Sequence, residues 1–158
     1  MDATQETAPR HLTGAMDVEL LLQGEDLSGR LDHDQANTLY THAFYLGNQG
    51  KHEKACAVLD LLRLYRPHEP KYTLAAAVCL RKLGRYEDAI RMFAQTIELR
   101  PDDYSPVFPL VECMLQLGLR EQAAELLQKV AGAAEDDGQA SIQARAEAML
   151  GFLRTPVQ

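Results

Sequence analysis

The chain has 158 residues, 46% hydrophobic and 25% charged, the make-up of a soluble folded domain that buries roughly two thirds of its unfolded surface. A formal net charge of −7 argues against nucleic acid as the main partner, because phosphate binding needs clustered Lys and Arg. The longest apolar run, Leu74 to Leu80, is far too short to span a bilayer, so no direct membrane insertion is expected.

In chain order, residues 1–14 begin "MDATQETAPRHL", which has no apolar core and so is no secretory signal; a disordered tail is expected. Residues 15–31, "AMDVELLLQGEDLSGRL", read as an amphipathic helix interrupted at Gly24, within an N-terminal helical region 15–35. "DHDQ", Asp32 to Gln35, marks a helix start rather than a metal loop.

From residue 36 the chain repeats itself. "GKHEKACAVL" from Gly50, "GRYEDAIRMF" from Gly84 and "GLREQAAELL" from Gly118 follow one another at 34-residue intervals. Ala55, Ala89 and Ala123 share one offset; Leu59, Phe93 and Leu127 share another. A 34-residue period is the signature of the tetratricopeptide repeat, a helix-turn-helix unit. The expected fold is all-α: three repeats over 36–131 (36–69, 70–103 and 104–131) in a right-handed superhelical array, with the N-terminal helix at one end. The glycines end each first helix in the left-handed conformation. The alanines, with Ala43 and Ala77 on the first helices and the larger Val111 in the third repeat, allow close helix approach. Pro67 and Pro101 stop the second helix of the first two repeats; the third has Glu135 there, and a flexible "AGAAEDDGQAS" stretch is expected to follow. In "YSPVFPLVEC" Ser105 suits an N-cap, Pro106 the first helical position, and Pro109 the first turn. Residues 138–155 carry Ile142, Ala146, Met149, Leu150 and Leu153 at helical spacing, a helix that caps the last open apolar face.

The sequence shows no catalytic constellation, so no enzyme is expected, and no cofactor. His11, His33, His42, His52 and His68 are scattered, without metal-ligand spacing to Cys or Asp, and His42 reads as a packed histidine. There is no phosphate loop, dinucleotide turn or nucleophile motif. Cys56, Cys79 and Cys113 lie inside apolar periodic segments and read as reduced, buried thiols.

A solenoid presents a concave face lined by its first helices. In this register the inward places are Asn37, Tyr40, Phe44 and Gly47; Lys71, Leu74, Val78 and Arg81; and Ser105, Phe108, Glu112 and Leu115. Tyr40, Phe44, Leu74, Val78 and Phe108 make an apolar stripe, with Glu112 the polar exception. Such a stripe either binds an extended apolar segment or is covered by the N-terminal helix or a second subunit. Repeat domains that grip the C-terminal carboxylates of heat-shock chaperones carry Lys, Arg and Asn at such places instead.

"LYTHAFYLGNQGKHEKA" (Leu39–Ala55), "LAAAVCLRKLGRYEDAI" (Leu74–Ile90) and "SPVFPLVECMLQLG" (Ser105–Gly118) resemble the class II chaperones of bacterial type III secretion, the translocator chaperones. The resemblance runs without gaps over about 36–127. It implies a cytoplasmic bacterial protein that keeps hydrophobic, pore-forming translocators soluble and secretion-competent by holding an extended apolar, proline-containing segment in its groove. It implies groove residues at Tyr40, Phe44, Leu61 and Tyr65, added to Leu74, Val78, Phe108 and Glu112. It also implies a homodimer through the N-terminal helices and, in some members, help to a transcription activator. Gly47, often aromatic in the family although Tyr45 stands nearby, and His52, often Tyr, depart from the pattern and change the shape of the first pocket. The alternative is a generic repeat scaffold in a secretion or regulatory complex, including co-activation of a transcription factor.

Overall fold

The computed structural model describes residues 27–156. The expectations for residues 1–14, and for residues 15–26 of the N-terminal helix, lie outside the described residues. Residues 27–31 do not continue an α-helix: Ser28–Arg30 is a single 3-10 turn and Leu31 is extended. Leu27 and Leu31 are nevertheless buried against the first repeat, and Arg66 Nη2 donates to the Leu31 carbonyl at 2.9 Å. This short segment closes one end of the array.

Seven α-helices follow: α1 (His33–Asn48), α2 (His52–Tyr65), α3 (Pro70–Lys82), α4 (Tyr86–Leu99), α5 (Val107–Gln116), α6 (Arg120–Asp136) and α7 (Ala140–Arg154); there is no strand among the described residues. Each packs on the next, so α1–α2, α3–α4 and α5–α6 are the three expected hairpins, stacked in order. Asp32 starts α1 through a capping box: its carboxylate accepts from Gln35 N at 2.8 Å, and its own N–H donates to Gln35 Oε1 at 3.1 Å.

Gly50, Gly84 and Gly118 have φ of 73°, 73° and 75°. The residue after each donates to the carbonyl five back: Lys51 to Leu46, Arg85 to Leu80 and Leu119 to Met114, at 2.9, 3.0 and 2.9 Å. These are Schellman turns, which satisfy carbonyls that a helix end leaves bare. Pro67 and Pro101 act as expected, and Arg66 and Arg100 before them are drawn out to φ of −135° and −139°.

The third repeat departs from expectation at both ends. With Glu135 in place of proline, α6 continues to Asp136, and the stretch expected to be flexible is helix followed by a fourth turn. Gly138 has φ of 69°, and Gln139 N donates to Ala134 O at 2.7 Å. At the start, α5 begins at Val107 with Pro106 as its cap, and Ser105 is not the N-cap. Ser105 N and Oγ both donate to Asp103 Oδ1, at 2.9 and 2.6 Å, which fixes the chain in a turn before the helix.

Ala43, Ala77 and Val111 are buried, as are Ala55, Ala89 and Ala123 and the large residues Leu59, Phe93 and Leu127. The core forms two clusters, one under the first two repeats and one under α5 to α7. Ile97, Met114 and Leu126 pack against both and make it continuous. His42, expected to be packed, is exposed on α1. Two buried threonines differ in their bonding: Thr96 Oγ1 donates to Met92 O at 2.8 Å, whereas Thr73 Oγ1 has no partner among the described residues.

Two outcomes follow from this packing. A Cβ at Gly84 meets no atom within 4 Å, so Gly84→Val costs only backbone strain, about 1–2 kcal/mol, read from urea unfolding; no loss would mean that the left-handed turn is not required there. Thr73→Val removes a buried, unsatisfied hydroxyl at constant shape and should be neutral or stabilising by about 1 kcal/mol, whereas Thr96→Val should destabilise, both read from thermal melting.

Candidate functional site

The stacking brings the inward faces of α1 and α3 side by side. Between them lies a cavity of about 360 Å3, with Tyr40 and Phe44 from α1, Leu74 and Val78 from α3, and Leu59 and His52 from α2 in its lining. Phe44 is 64% exposed and Val78 37%, while Tyr40 and Leu74 are half-buried. Water-exposed apolar side chains around an open apolar cavity are unfinished packing; fully burying an exposed ring such as Phe44 is worth about 1.5–3 kcal/mol, and completing the burial of the half-covered Tyr40, Leu74 and Val78 correspondingly less.

Gly47 contributes to this volume. It lines the cavity, and a Cβ built on it meets nothing within 4 Å, so any side chain there would occupy space that is open. Tyr45 does not substitute for it, being 59% exposed and outside the cavity lining. His52 lines the cavity with a buried Nδ1 that has no hydrogen-bond partner among the described residues.

Polar contacts between inward places tie the first helices together across the groove. Lys71 Nζ donates to Asn37 Oδ1 at 3.3 Å and lies 5.5 Å from the Tyr40 ring centroid and 5.1 Å from that of Tyr72. The Tyr40 and Tyr72 rings are themselves 5.5 Å apart and tilted. Farther along, Arg81 pairs with Glu112 at 2.6 Å. Glu112, the polar exception in the apolar stripe, is thus exposed and engaged in joining α3 to α5.

Three other sequence-derived groove residues lie elsewhere. Leu61 is half-buried and packs on the first core cluster, outside the cavity lining. Tyr65 is fully buried in that cluster, with Leu27, Leu31 and Tyr72, and presents no surface to a ligand. Phe108 is fully buried too, and the guanidinium of Arg145 on α7 sits 4.1 Å from its ring centroid. The register put Phe108 on the inward face, but α7 folds onto α5 where the first helix of a further repeat would lie, and covers that place. Leu115 faces α7 as well, sharing a cavity of about 270 Å3 with Met149 and the 74% exposed Phe152. The sequence signalled α7 through its apolar spacing, but not which inward residues it would cover.

The thiols do not build reactive chemistry. Burial pushes Cys56 up to about 12, with Cys79 beside it adding to the effect, and burial also raises Cys79 and Cys113. All three are held as neutral thiols at physiological pH. Cys79 thereby acts as an apolar member of the cavity lining.

Two families match parts of the chain: the tetratricopeptide repeat over residues 80–148, and anaphase-promoting complex, cyclosome, subunit 3 over residues 19–96. Chaperone protein SicA of Salmonella typhimurium is 31% identical over 132 residues, which cover 83% of this chain and 77% of that protein. A chain in the crystal structure of a T3SS complex from Aeromonas hydrophila superposes with a TM-score of 0.71 at 26% identity, over 90% of this chain and 96% of that one. PcrH of Pseudomonas aeruginosa, solved in complex with the chaperone binding region of PopD, gives 0.67 at 26% identity, over 78% and 93%. Repeat architecture, length and sequence agree: this chain belongs to the family of SicA and PcrH, the tetratricopeptide-repeat translocator chaperones of type III secretion.

Proposed function

We propose that the protein is a cytoplasmic chaperone that binds hydrophobic, pore-forming translocators by taking an extended apolar segment into the cavity between α1 and α3, and that it acts without catalysis. The observation that carries this reading is the exposed Phe44 and Val78 over an open apolar cavity, in a chain whose relative PcrH was solved with the chaperone binding region of PopD. A translocator bearing long apolar helices aggregates in water. Covering part of that surface needs complementary apolar area rather than a nucleotide, and the acidic exterior keeps the complex dispersed. Alternate side chains of an extended segment drop into the cavity while its backbone stays near the groove mouth. None of the described helices is long and apolar enough to cross a membrane.

The protein acts as a homodimer joined through its N-terminal region. Leu27, Leu31 and Ala36 belong to the core of the first repeat, so a truncation that probes this interface without opening the core ends at residue 26. Removing residues 1–26 should convert dimer to monomer in light scattering with little change in melting temperature; an unchanged mass would place the interface on the repeats.

Phe44→Ala should weaken an apolar, proline-containing translocator peptide by on the order of 2 kcal/mol, about thirtyfold, in titration calorimetry, with little change in melting temperature. Phe108→Ala should do the converse, destabilising the fold by about 3–5 kcal/mol because its ring is core. Full affinity in folded Phe44→Ala would move the cargo site off this cavity.

A further inference from the structure

The charge at the groove is the reverse of the charge of the chain. The protein has 23 acidic residues against 16 Lys and Arg, yet the cavity lining contains Lys71 and Lys82 and no Asp or Glu. Arginines on the surrounding helices are paired with carboxylates: Arg81 with Glu112, Arg63 with Asp60, and Arg85 and Arg91, which share Asp88. Among the described residues neither lysine is paired with a carboxylate. Lys71 is steadied only by the neutral Asn37 amide and two tyrosine rings, which orient its charge without cancelling it. Lys82 is exposed in the last turn of α3.

The two lysines are also placed alike. Residues 71 and 82 are separated by about three helical turns, so both stand on the α3 face that carries Leu74 and Val78, roughly 16 Å apart along the axis and at either end of the apolar strip. An apolar occupant with no charge of its own would leave both cations at the rim of a newly dried surface, where desolvation is costly. The buried Nδ1 of His52 is a further polar group in the same lining, with no partner among the described residues.

We infer that the segment bound in this groove is an acidic–apolar one, in which an apolar anchor fills the cavity between α1 and α3 and an Asp or Glu within a few residues of it pairs with Lys82 or Lys71. This rests on the assignment of the cavity as the translocator site and narrows it: apolar area supplies most of the affinity, and the carboxylate selects among apolar segments and sets their register. Overall like charge between an acidic chaperone and an acidic cargo segment is overcome locally, because the rim cations lie within contact distance while no carboxylate lines the cavity and the inward-facing Glu112 is paired with Arg81.

The test uses the full chain and a set of blocked synthetic peptides, each with two leucines and two prolines at constant places and a Glu walked through every remaining position. Otherwise identical Gln peptides are the matched controls. Binding is measured by fluorescence anisotropy at low and high salt, against the unaltered protein, Lys82→Gln, Lys71→Gln and Phe44→Ala, with thermal melting of each variant. At one or more positions the Glu peptide should bind about two- to fivefold tighter than its Gln counterpart at low salt. That advantage should disappear at high salt and in one of the two lysine variants, which remain folded and still bind the Gln peptides. If every Glu peptide binds no better than its Gln control while all peptides weaken in Phe44→Ala, the acidic requirement is overturned and the apolar site stands. If the peptides bind and Phe44→Ala leaves them unaffected, or if none binds, the site assignment itself fails and the inference falls with it.

Discussion

A left-handed glycine just past a helix end turns the chain back along the helix it has left, and among the described residues this happens four times, at Gly50, Gly84, Gly118 and Gly138. In each case the backbone bonds of the turn take up carbonyls that the helix end would leave bare. A β-carbon would make that backbone conformation costly, so the turn is available at these places because glycine stands there. The antiparallel hairpins follow, then the stacking of first helix beside first helix, and then a continuous inward face. The groove is a consequence of turn geometry before it is a property of the residues that line it.

The turn brings helices together, and small side chains decide how near they come. Ala43, Ala55, Ala77, Ala89 and Ala123 are buried where helices meet, and Leu59, Phe93 and Leu127 fill the space between neighbours. Close packing of this kind uses up apolar surface on the outer and lateral faces of the first helices, but it leaves the inward faces of α1 and α3 without a partner. Phe44 and Val78 are therefore exposed for a geometric reason: no element of the described chain lies across them. At α5 the same face is covered, because α7 occupies the adjoining position and Arg145 caps the Phe108 ring. The array thus has an open end of the groove and a sealed one. The Arg81–Glu112 pair marks the passage between them, and the Lys71–Asn37 contact braces the open part.

Chemical inertness belongs to the same design. The cysteines are desolvated and stay protonated, and the cavity lining offers apolar contact, a phenol, a thiol, two lysines, an amide and an imidazole. In the function proposed, a site of this composition holds a chain without altering it. The selectivity proposed for it rests on shape, to which the absent side chain at Gly47 contributes, and on the placement of two lysines.

Much of this was legible in the sequence because it is local and periodic. The 34-residue spacing of Gly50, Gly84 and Gly118 identified the repeat, Pro67 and Pro101 its ends, the Asp32–Gln35 pair the first cap, and the stripe Tyr40, Phe44, Leu74 and Val78 the candidate groove. Gly138 and the missing proline at Glu135 carried equally local information about the continuation of α6, masked by the Gly- and Ala-rich composition around them. The burial of Phe108 and Tyr65 was of another kind. Periodicity assigns a residue to a face of its own helix, but whether that face meets water depends on what else folds over it: α7 at Phe108, and at Tyr65 the core cluster shared with Leu27, Leu31 and Tyr72. Of the ion pairs around the groove, Arg63–Asp60, Arg85–Asp88 and Arg91–Asp88 are three residues apart and local, whereas Arg81–Glu112 joins helices that the sequence places about thirty residues apart and forms only in the folded chain. The sequence determined the helices, their turns and their inward registers, because those follow from local backbone and spacing constraints. Only the tertiary structure decided which inward residues remain open, because that depends on long-range contacts that no local pattern encodes.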